Sequence, residues 1–179
     1  MRCFIAIDLP DDVKDYIFSL EKFIGNELAK IKWVAKKNLH LTLKFLGEID
    51  EEKLKLVKEK LKNIKFGKFK VNLDKIGVFP NENYITVVWV GVKDDKNIFE
   101  LQKAIDSELL SLFSKEQKFQ SHLTFGRVKF VKDKTNFLKK IKEIEVKNLP
   151  LEIKEFKLYK SELSKDGPKY TVLETYTLS

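Results

Sequence analysis

The sequence predicts an α+β fold in which a β-α-β-α-β unit occurs twice, forming two interleaved, pseudo-symmetric lobes of one domain over residues 1–179. Strand-like apolar stretches alternate with segments whose apolar residues recur every three or four positions, the spacing of a helix face. The same order of elements starts again after a Pro-Asn-Glu-Asn turn at 80–83. A length of 179 residues with 43% apolar side chains is enough to bury one shared core.

The first repeat begins with an apolar strand at residues 2–8. The helix after it covers 13–28, where apolar residues recur at spacings of three and four. A strand at 39–46 follows, in which leucines alternate with polar residues. A second helix over 50–64 begins with an acidic turn, which complements the helix dipole. The strand at 69–79 completes the unit.

The second repeat has the same order of elements. They are a strand at 84–92, a helix at 98–112, a strand near 119–130, a lysine-rich helix near 134–145 and a strand near 151–160. One more strand near 169–178 is joined to the last by a Ser-Lys-Asp-Gly-Pro turn. We therefore expect the two halves to build equivalent lobes.

Composition excludes several classes of protein. The net charge of +8 is divided equally between residues 1–90 and 91–179, so a polyanion would be bound by a folded surface rather than by a basic tail. The single cysteine, Cys3, cannot form an internal disulfide, and no Cys/His spacing fits a zinc site, which suits a cytoplasmic protein. The longest apolar stretch, 84–92, is far shorter than the roughly 20 residues of a membrane span.

The two histidines of the chain occupy the same place in their repeats. His40 and His122 each begin a His-Leu-Thr triplet on the strand between two helices. Alternation assigns Leu39, Leu41, Leu43 and Phe45 to the buried face of the first strand, and His40, Thr42 and Lys44 to the opposite face. The second strand repeats this, with His122 and Thr124 outward. Each lobe is therefore predicted to present one imidazole and one hydroxyl to a shared cleft.

This set of groups suits a phosphate ester. Because the pKa of histidine is near neutrality, one imidazole can deprotonate a nucleophile while the other protonates a leaving oxygen. The hydroxyls of Thr42 and Thr124 can donate hydrogen bonds to phosphoryl oxygens, and this arrangement requires no metal. For an isolated His-x-Thr, a surface or core histidine is the better interpretation; the matched pair favours a general acid–base phosphoesterase.

Arginine is rare in this lysine-rich chain, which has only Arg2 and Arg127. Arg127 follows His122 by five residues, an offset that on a regular strand would turn it toward the core. Gly126 precedes it, and a glycine in a strand often marks a bulge. We expect a bulge here to turn Arg127 to the histidine face, where it would hold a phosphoryl oxygen. The alternative is a solvent-facing residue at the strand end.

The sequence resembles the two-histidine phosphoesterase superfamily, and within it the RNA 2',3'-cyclic phosphodiesterases first described as 2'-5' RNA ligases. The similar segments are Arg2-Cys3-Phe4-Ile5-Ala6-Ile7-Asp8-Leu9-Pro10, Trp33-Val34, Leu39 to Glu48, His122 to Val128, and the tail from Leu158 to Thr171. Ser121 departs from the family, which commonly has proline there. The resemblance implies two antiparallel sheets flanking a central cleft, no metal or cofactor, and opening of a 2',3'-cyclic phosphate at an RNA or oligonucleotide end to a 2'-phosphate.

The resemblance also implies roles for residues. His40 and His122 match the catalytic pair, Thr42 and Thr124 the phosphate-binding residues, and Arg127 the arginine after the second motif. Formation of a 2'-phosphate requires the 3'-oxygen to leave, and we assign His122 as base and His40 as acid, with the reverse left open. Trp33, Phe45 and Tyr170 are candidates for stacking on a substrate base, although each also suits the core.

Other functions remain open at this point. The same four groups would serve a superfamily member acting on ADP-ribose 1'',2''-cyclic phosphate or on a 2'-5'-linked oligonucleotide. They would also serve reversible 2'-5' RNA ligation. A different class is a non-catalytic module that binds RNA ends, in which the cleft captures the terminal phosphate and the basic faces hold the strand. We expect a monomer with no membrane partner.

Overall fold

The computed structural model describes residues 1–179 and is an α+β structure with four α-helices and nine strands. The strands are β1 (Arg2–Asp8), β2 (Ala29–Trp33), β3 (His40–Glu48), β4 (Phe69–Asn81), β5 (Tyr84–Lys93), β6 (His122–Val131), β7 (Pro150–Ile153), β8 (Glu155–Ser164) and β9 (Gly167–Thr177). The helices are α1 (Asp11–Ile24), α2 (Glu51–Leu61), α3 (Lys96–Glu108) and α4 (Lys134–Glu143), and a 3₁₀ turn at Lys36–Asn38 precedes β3. No helix is long and apolar enough to cross a bilayer.

The strands form two antiparallel sheets, as predicted. The first sheet has the order β3-β1-β8-β9, and the second has the order β2-β6-β5-β4-β7. The run β3-β1-β8 corresponds to the run β6-β5-β4, so the internal repeat is visible in both sheets. Each half of the chain supplies its last long strand to the other sheet, since β4 lies in the second sheet and β8 in the first. The lobes are interleaved by this exchange.

The structure differs from the sequence-based expectation at two places. The first helix ends at Ile24, where Gly25 has φ 64°, rather than at residue 28, and it is followed by β2, a strand that the apolar pattern did not predict. The single strand expected near 151–160 is two strands, β7 and β8, which belong to different sheets. They are separated at Lys154, whose carbonyl accepts a hydrogen bond from Leu178 N. Apolar periodicity does not report which strands pair, so it could not reveal this change of sheet.

One hydrophobic core holds both sheets to the helices. It contains 40 buried residues, among them the predicted apolar face of α1. A separate small cluster of Phe4, Ala6 and Tyr159 lies on the other face of the first sheet. Asp50 and Asp133 begin α2 and α4 by accepting hydrogen bonds from backbone N–H groups of the first turn. The helices thus cover the outer faces, and the faces that carry the histidines stay uncovered by helices.

Candidate active site

Both histidines are held in the same way. His40 Nδ1 lies 2.7 Å from the carbonyl oxygen of Asn38, and His122 Nδ1 lies 2.7 Å from that of Gln120. A carbonyl oxygen only accepts, so Nδ1 carries the proton of the neutral ring and Nε2 is left as the reactive nitrogen. The turn before His122 is further fixed by Ser121, whose hydroxyl donates to Asp95 at 2.6 Å. Serine at this position therefore has a structural partner of its own.

The threonines lie beside the histidines. Thr42 Oγ1 is 2.9 Å from His40 Nε2, so its hydroxyl donates to the nitrogen that Asn38 leaves unprotonated. Thr124 is two residues beyond His122 on β6, and its ladder partner is Trp89. Both threonines are half-buried on the face of their strand that also carries the histidine. Each lobe therefore places one imidazole and one hydroxyl side by side.

A bulge follows each His-Leu-Thr triplet at the same point. In β3, Thr42 pairs with Ala6 and Lys44 pairs with Ile5, so Leu43 has no partner of its own. In β6, Thr124 pairs with Trp89 and the next paired residue is Gly126, so Phe125 is the additional residue. The carbonyl of Phe125 accepts a hydrogen bond from Val34 N at 2.9 Å, which satisfies the bulge. The internal repeat therefore includes the bulge as well as the motif.

Each bulge reverses the facing of the residues that directly follow it. Arg127 turns to the histidine face, as expected, and is exposed. The alternation predicted for β3 is wrong beyond Leu43: Phe45 is 67% exposed and lies opposite Phe4, while Lys44 is buried. Glycine is not required for such a bulge, since Lys44 occupies the position equivalent to Gly126. The fifth residue after the histidine thus lies on the histidine face of its strand, as phenylalanine in β3 and as arginine in β6.

Lys44 ties the first strand to the second half of the chain. Its Nζ lies 2.5 Å from Asp106 Oδ1 and 2.8 Å from the carbonyl oxygen of Ser114. The other carboxylate oxygen of Asp106 accepts from Gln102 Nε2 and from Glu116 N. The side chains of both ions are almost fully buried. This network joins β3 to α3 and to the loop before β6. It therefore holds the strand of His40 in place relative to the loop that leads into the strand of His122.

Comparison with known proteins identifies the family. The family model described as LigT like Phosphoesterase matches residues 7–89 and, a second time, residues 90–170. The chain belongs to the LigT-like phosphoesterase family. The two matches divide the chain near the boundary of its internal repeat.

Relatives of this LigT-like phosphoesterase match it over nearly its full length. It is 41% identical to the RNA 2',3'-cyclic phosphodiesterase of Methanocaldococcus jannaschii, over 98% of this chain and 100% of the relative. It is 35% identical to that of Thermotoga maritima, over 97% and 93%. The crystal structure of E. coli LigT complexed with 3'-AMP superposes with a TM-score of 0.78 at 27% identity, covering 99% of this chain and 98% of that one. The sequence matches and the structural match thus point to the same family.

Aromatic rings surround both histidines of this LigT-like protein. The His40 ring centroid lies 5.1 Å from that of Phe4 and 5.4 Å from that of Tyr170, whose plane is perpendicular to it. The His122 ring lies 4.9 Å from Phe79 and 6.4 Å from Trp89. Phe4, Phe79 and Trp89 are not among the residues that the sequence predicts at the site. Alternation along β1 could have indicated Phe4. It lies between Cys3 and Ile5, which face the core, so its side chain faces the side of the sheet that carries His40.

The three aromatic residues predicted near the cleft have different environments. Tyr170 packs edge-on against His40 and is half-buried. Phe45 is exposed on the same face. Trp33 stacks on Phe125 with centroids 5.7 Å apart and pairs with Gly126 on the face opposite Arg127, so it belongs to the core. The expectation that Trp33 stacks on substrate is therefore not supported, because the register of β2 turns it away from the histidine face.

Arg127 shares a strand face with His122. Burial lowers the pKa of His40, the Asn38 carbonyl and Asp8 offset part of this, and Lys14 and Arg127 lower it further. Burial also raises the pKa of Tyr170, and the charge of Arg127 opposes that rise. Arg127 is thus among the charges that influence two groups of the first sheet.

The anionic neighbour of His40 is Asp8, its ladder partner on β1. Asp8 is 2.9 Å from Lys14 Nζ and 3.4 Å from Lys157 Nζ. Burial disfavours its charge, but the hydrogen bond from Lys14 and the two cations outweigh this and lower the pKa of Asp8. A pocket of about 300 Å³ opens beside His40, and its lining comes from the first sheet and the turn before β3. No group of three or more His, Cys, Asp or Glu side chains is arranged around a metal position.

Proposed function

We propose that this protein is a metal-independent RNA 2',3'-cyclic phosphodiesterase that opens the cyclic phosphate to a 2'-phosphate. The observation that carries the proposal is the shared arrangement of the two motifs. In each, the histidine Nδ1 contacts a backbone carbonyl oxygen, a threonine lies two residues later on the same strand face, and a bulge follows that threonine. The name shared by full-length relatives supports the same substrate class.

The proposed reaction moves one proton on each side of the phosphorus. His122 Nε2 takes a proton from water as the water oxygen bonds to phosphorus, and protonated His40 gives its proton to the departing 3'-oxygen. Thr42, Thr124 and Arg127 hold the non-bridging oxygens. Because burial lowers the pKa of His40, its role as acid requires the bound phosphate anion to favour the charged ring. The same two histidines would catalyse 2'-5' ligation if an RNA 5'-hydroxyl replaced water.

The test is turnover of oligonucleotides that end in a 2',3'-cyclic phosphate, with identification of the product isomer. We expect a 2'-phosphate product, unchanged rates in excess chelator, and a bell-shaped dependence of rate on pH. His40→Ala and His122→Ala should each lower kcat by about 10²–10⁴-fold, whereas Lys103→Ala, on the exposed face of α3, serves as the control and should not. Binding of the RNA end without turnover would instead indicate a binding module. Loss of activity in chelator would contradict the metal-free mechanism.

A further inference from the structure

Two cations lie opposite each other on the histidine side of the second sheet. Lys32 of β2 and Arg127 of β6 are ladder partners, and both are exposed. The residues beside them in their strands, Ile31 and Gly126, lie on the core side, so the two cations share the face that carries His122. Residues directly opposite in an antiparallel ladder have Cβ atoms about 4.5–5.5 Å apart, so the two positive charges are close.

This is the one ladder pair of like charges in the two sheets. Every other ladder pair of a lysine or arginine with a charged residue joins opposite charges: Arg2 with Glu48, Lys70 with Glu152, and Lys169 with Glu162. Neither Lys32 nor Arg127 forms a salt bridge, whereas Lys36, in the turn after β2, is paired with Asp15. Like charges directly opposite each other destabilise a sheet. The pair therefore lowers the stability of the protein unless an anion binds to it.

A third cation continues this arrangement away from the histidine. Lys30 is exposed and lies two residues before Lys32 on the same face of β2, about 7 Å along the strand. Its ladder partner is Phe130, and it forms no salt bridge. Because β2 is the edge strand of the sheet, no further strand lies beyond these lysines. Arg127, Lys32 and Lys30 thus form a cationic row that begins at the arginine of the site and leads outward over the sheet edge.

We propose that the cationic row binds the RNA backbone upstream of the reacting end, with Lys32 on the phosphodiester next to the cyclic phosphate and Lys30 on the one after it. This inference rests on the proposed function, in which Arg127 holds the cyclic phosphate. Each nucleotide of RNA carries one negative charge, so a strand along the row places anions beside cations that have no internal partner. Lysine binds phosphate as a point charge and reads no base, so this binding is independent of sequence. The row favours an oligonucleotide over a mononucleoside cyclic phosphate, which has no upstream phosphodiester.

The first experiment measures kcat/KM for three substrates that end in a 2',3'-cyclic phosphate: a nucleoside with a 5'-hydroxyl, a dinucleotide and a trinucleotide. We expect Lys32→Ala to lower kcat/KM about tenfold for the dinucleotide and the trinucleotide and to leave the mononucleoside unchanged. Lys30→Ala should lower only the value for the trinucleotide. For binding of a trinucleotide that ends in a 2'-phosphate, each variant should reduce the slope of log affinity against log salt by about 0.7. An equal loss for the mononucleoside with Lys32→Ala would place Lys32 on the reacting phosphate, and the upstream site would be wrong.

The second experiment tests the repulsion within the ladder pair by thermal unfolding without RNA. Lys32→Glu places opposite charges in the pair with Arg127, so it should raise Tm by about 1–3 °C while it lowers kcat/KM for the oligonucleotides. The matched control is Lys70→Glu, which places like charges opposite each other at Glu152 on the same sheet and should lower Tm. A fall in Tm with Lys32→Glu would contradict the inference that this pair needs an anion.

The control for the kinetic measurements is Lys55→Ala, which removes the same charge from the exposed surface of α2, away from the histidine faces. If Lys32→Ala and Lys55→Ala change the ratio of oligonucleotide to mononucleoside kcat/KM equally, the upstream site is wrong and the proposed function is unaffected. Failure of the wild type to turn over any of the three substrates would contradict the proposed function itself. Thermal unfolding of each variant identifies losses that come from misfolding.

Discussion

Replacement of Lys44 by methionine should destabilise the protein far more than replacement of an exposed lysine. Methionine keeps the length of the side chain but removes the charge, and it leaves the carboxylate of Asp106 buried with two remaining donors, Gln102 Nε2 and Glu116 N. Because both ions are almost inaccessible to water, the loss of one partner should cost about 3–5 kcal/mol of unfolding free energy. A chain of this size should then lose roughly 6–20 °C in Tm.

The assay is equilibrium unfolding in urea, followed by circular dichroism, for three variants. The matched control is Lys142→Met, whose partner Glu82 lies 2.9 Å away with both side chains more than half exposed, and it should cost less than about 1 kcal/mol. The double variant Lys44→Met with Asp106→Leu should recover much of the loss, because no uncompensated charge stays buried. A cost for Lys44→Met equal to that of Lys142→Met, or a double variant that is no more stable than Lys44→Met, would refute this reasoning.

Three further outcomes follow from single sites. The pKa of His40, measured by NMR titration, should rise when inorganic sulfate is added, because an anion beside the ring favours its charged form; no change would contradict a phosphate site there. Burial raises the pKa of Glu21 from 4.5 to about 8, so the folded protein retains a proton that the unfolded chain releases. Stability should therefore fall as pH rises from about 4.5 to 8, and Glu21→Gln, measured by urea unfolding across that range, should remove most of this dependence. Gly126→Ala should cost about 1–3 kcal/mol in the same assay, because the added methyl group would lie 2.8 Å from Trp33 and Ile31; a neutral effect would show that β6 shifts freely.

The internal repeat and the place of the two histidines in it could be predicted from the sequence. The antiparallel α+β fold and the shared place of His40 and His122 are confirmed, because each depends on local periodicity or on matching of motifs, and the order of elements is confirmed except for β2 and the division between β7 and β8. The predicted strand face of all three residues in each His-Leu-Thr triplet was also correct. The bulge before Arg127 was predicted only because Gly126 marked it.

The residues after the bulge in β3 could not be predicted in the same way. Neither Leu43 nor Lys44 is a residue type that marks a bulge. Strict alternation therefore assigned Phe45 to the core and Lys44 to the histidine face, and the structure reverses both assignments. The facing of Trp33 could not be assigned for a related reason, since the apolar pattern did not predict the strand β2. In each case the missing information was the identity and register of the neighbouring strand.

The sequence by itself determined the two imidazoles, the two hydroxyls and the strands that carry them, because side-chain alternation depends only on the backbone of one strand. The tertiary structure decided which face each later residue occupies and which halves exchange strands. A bulge exists only where two strands differ by one residue in their hydrogen-bonded ladder. That property belongs to the pair of strands, and it appears only when the distant partner is in place.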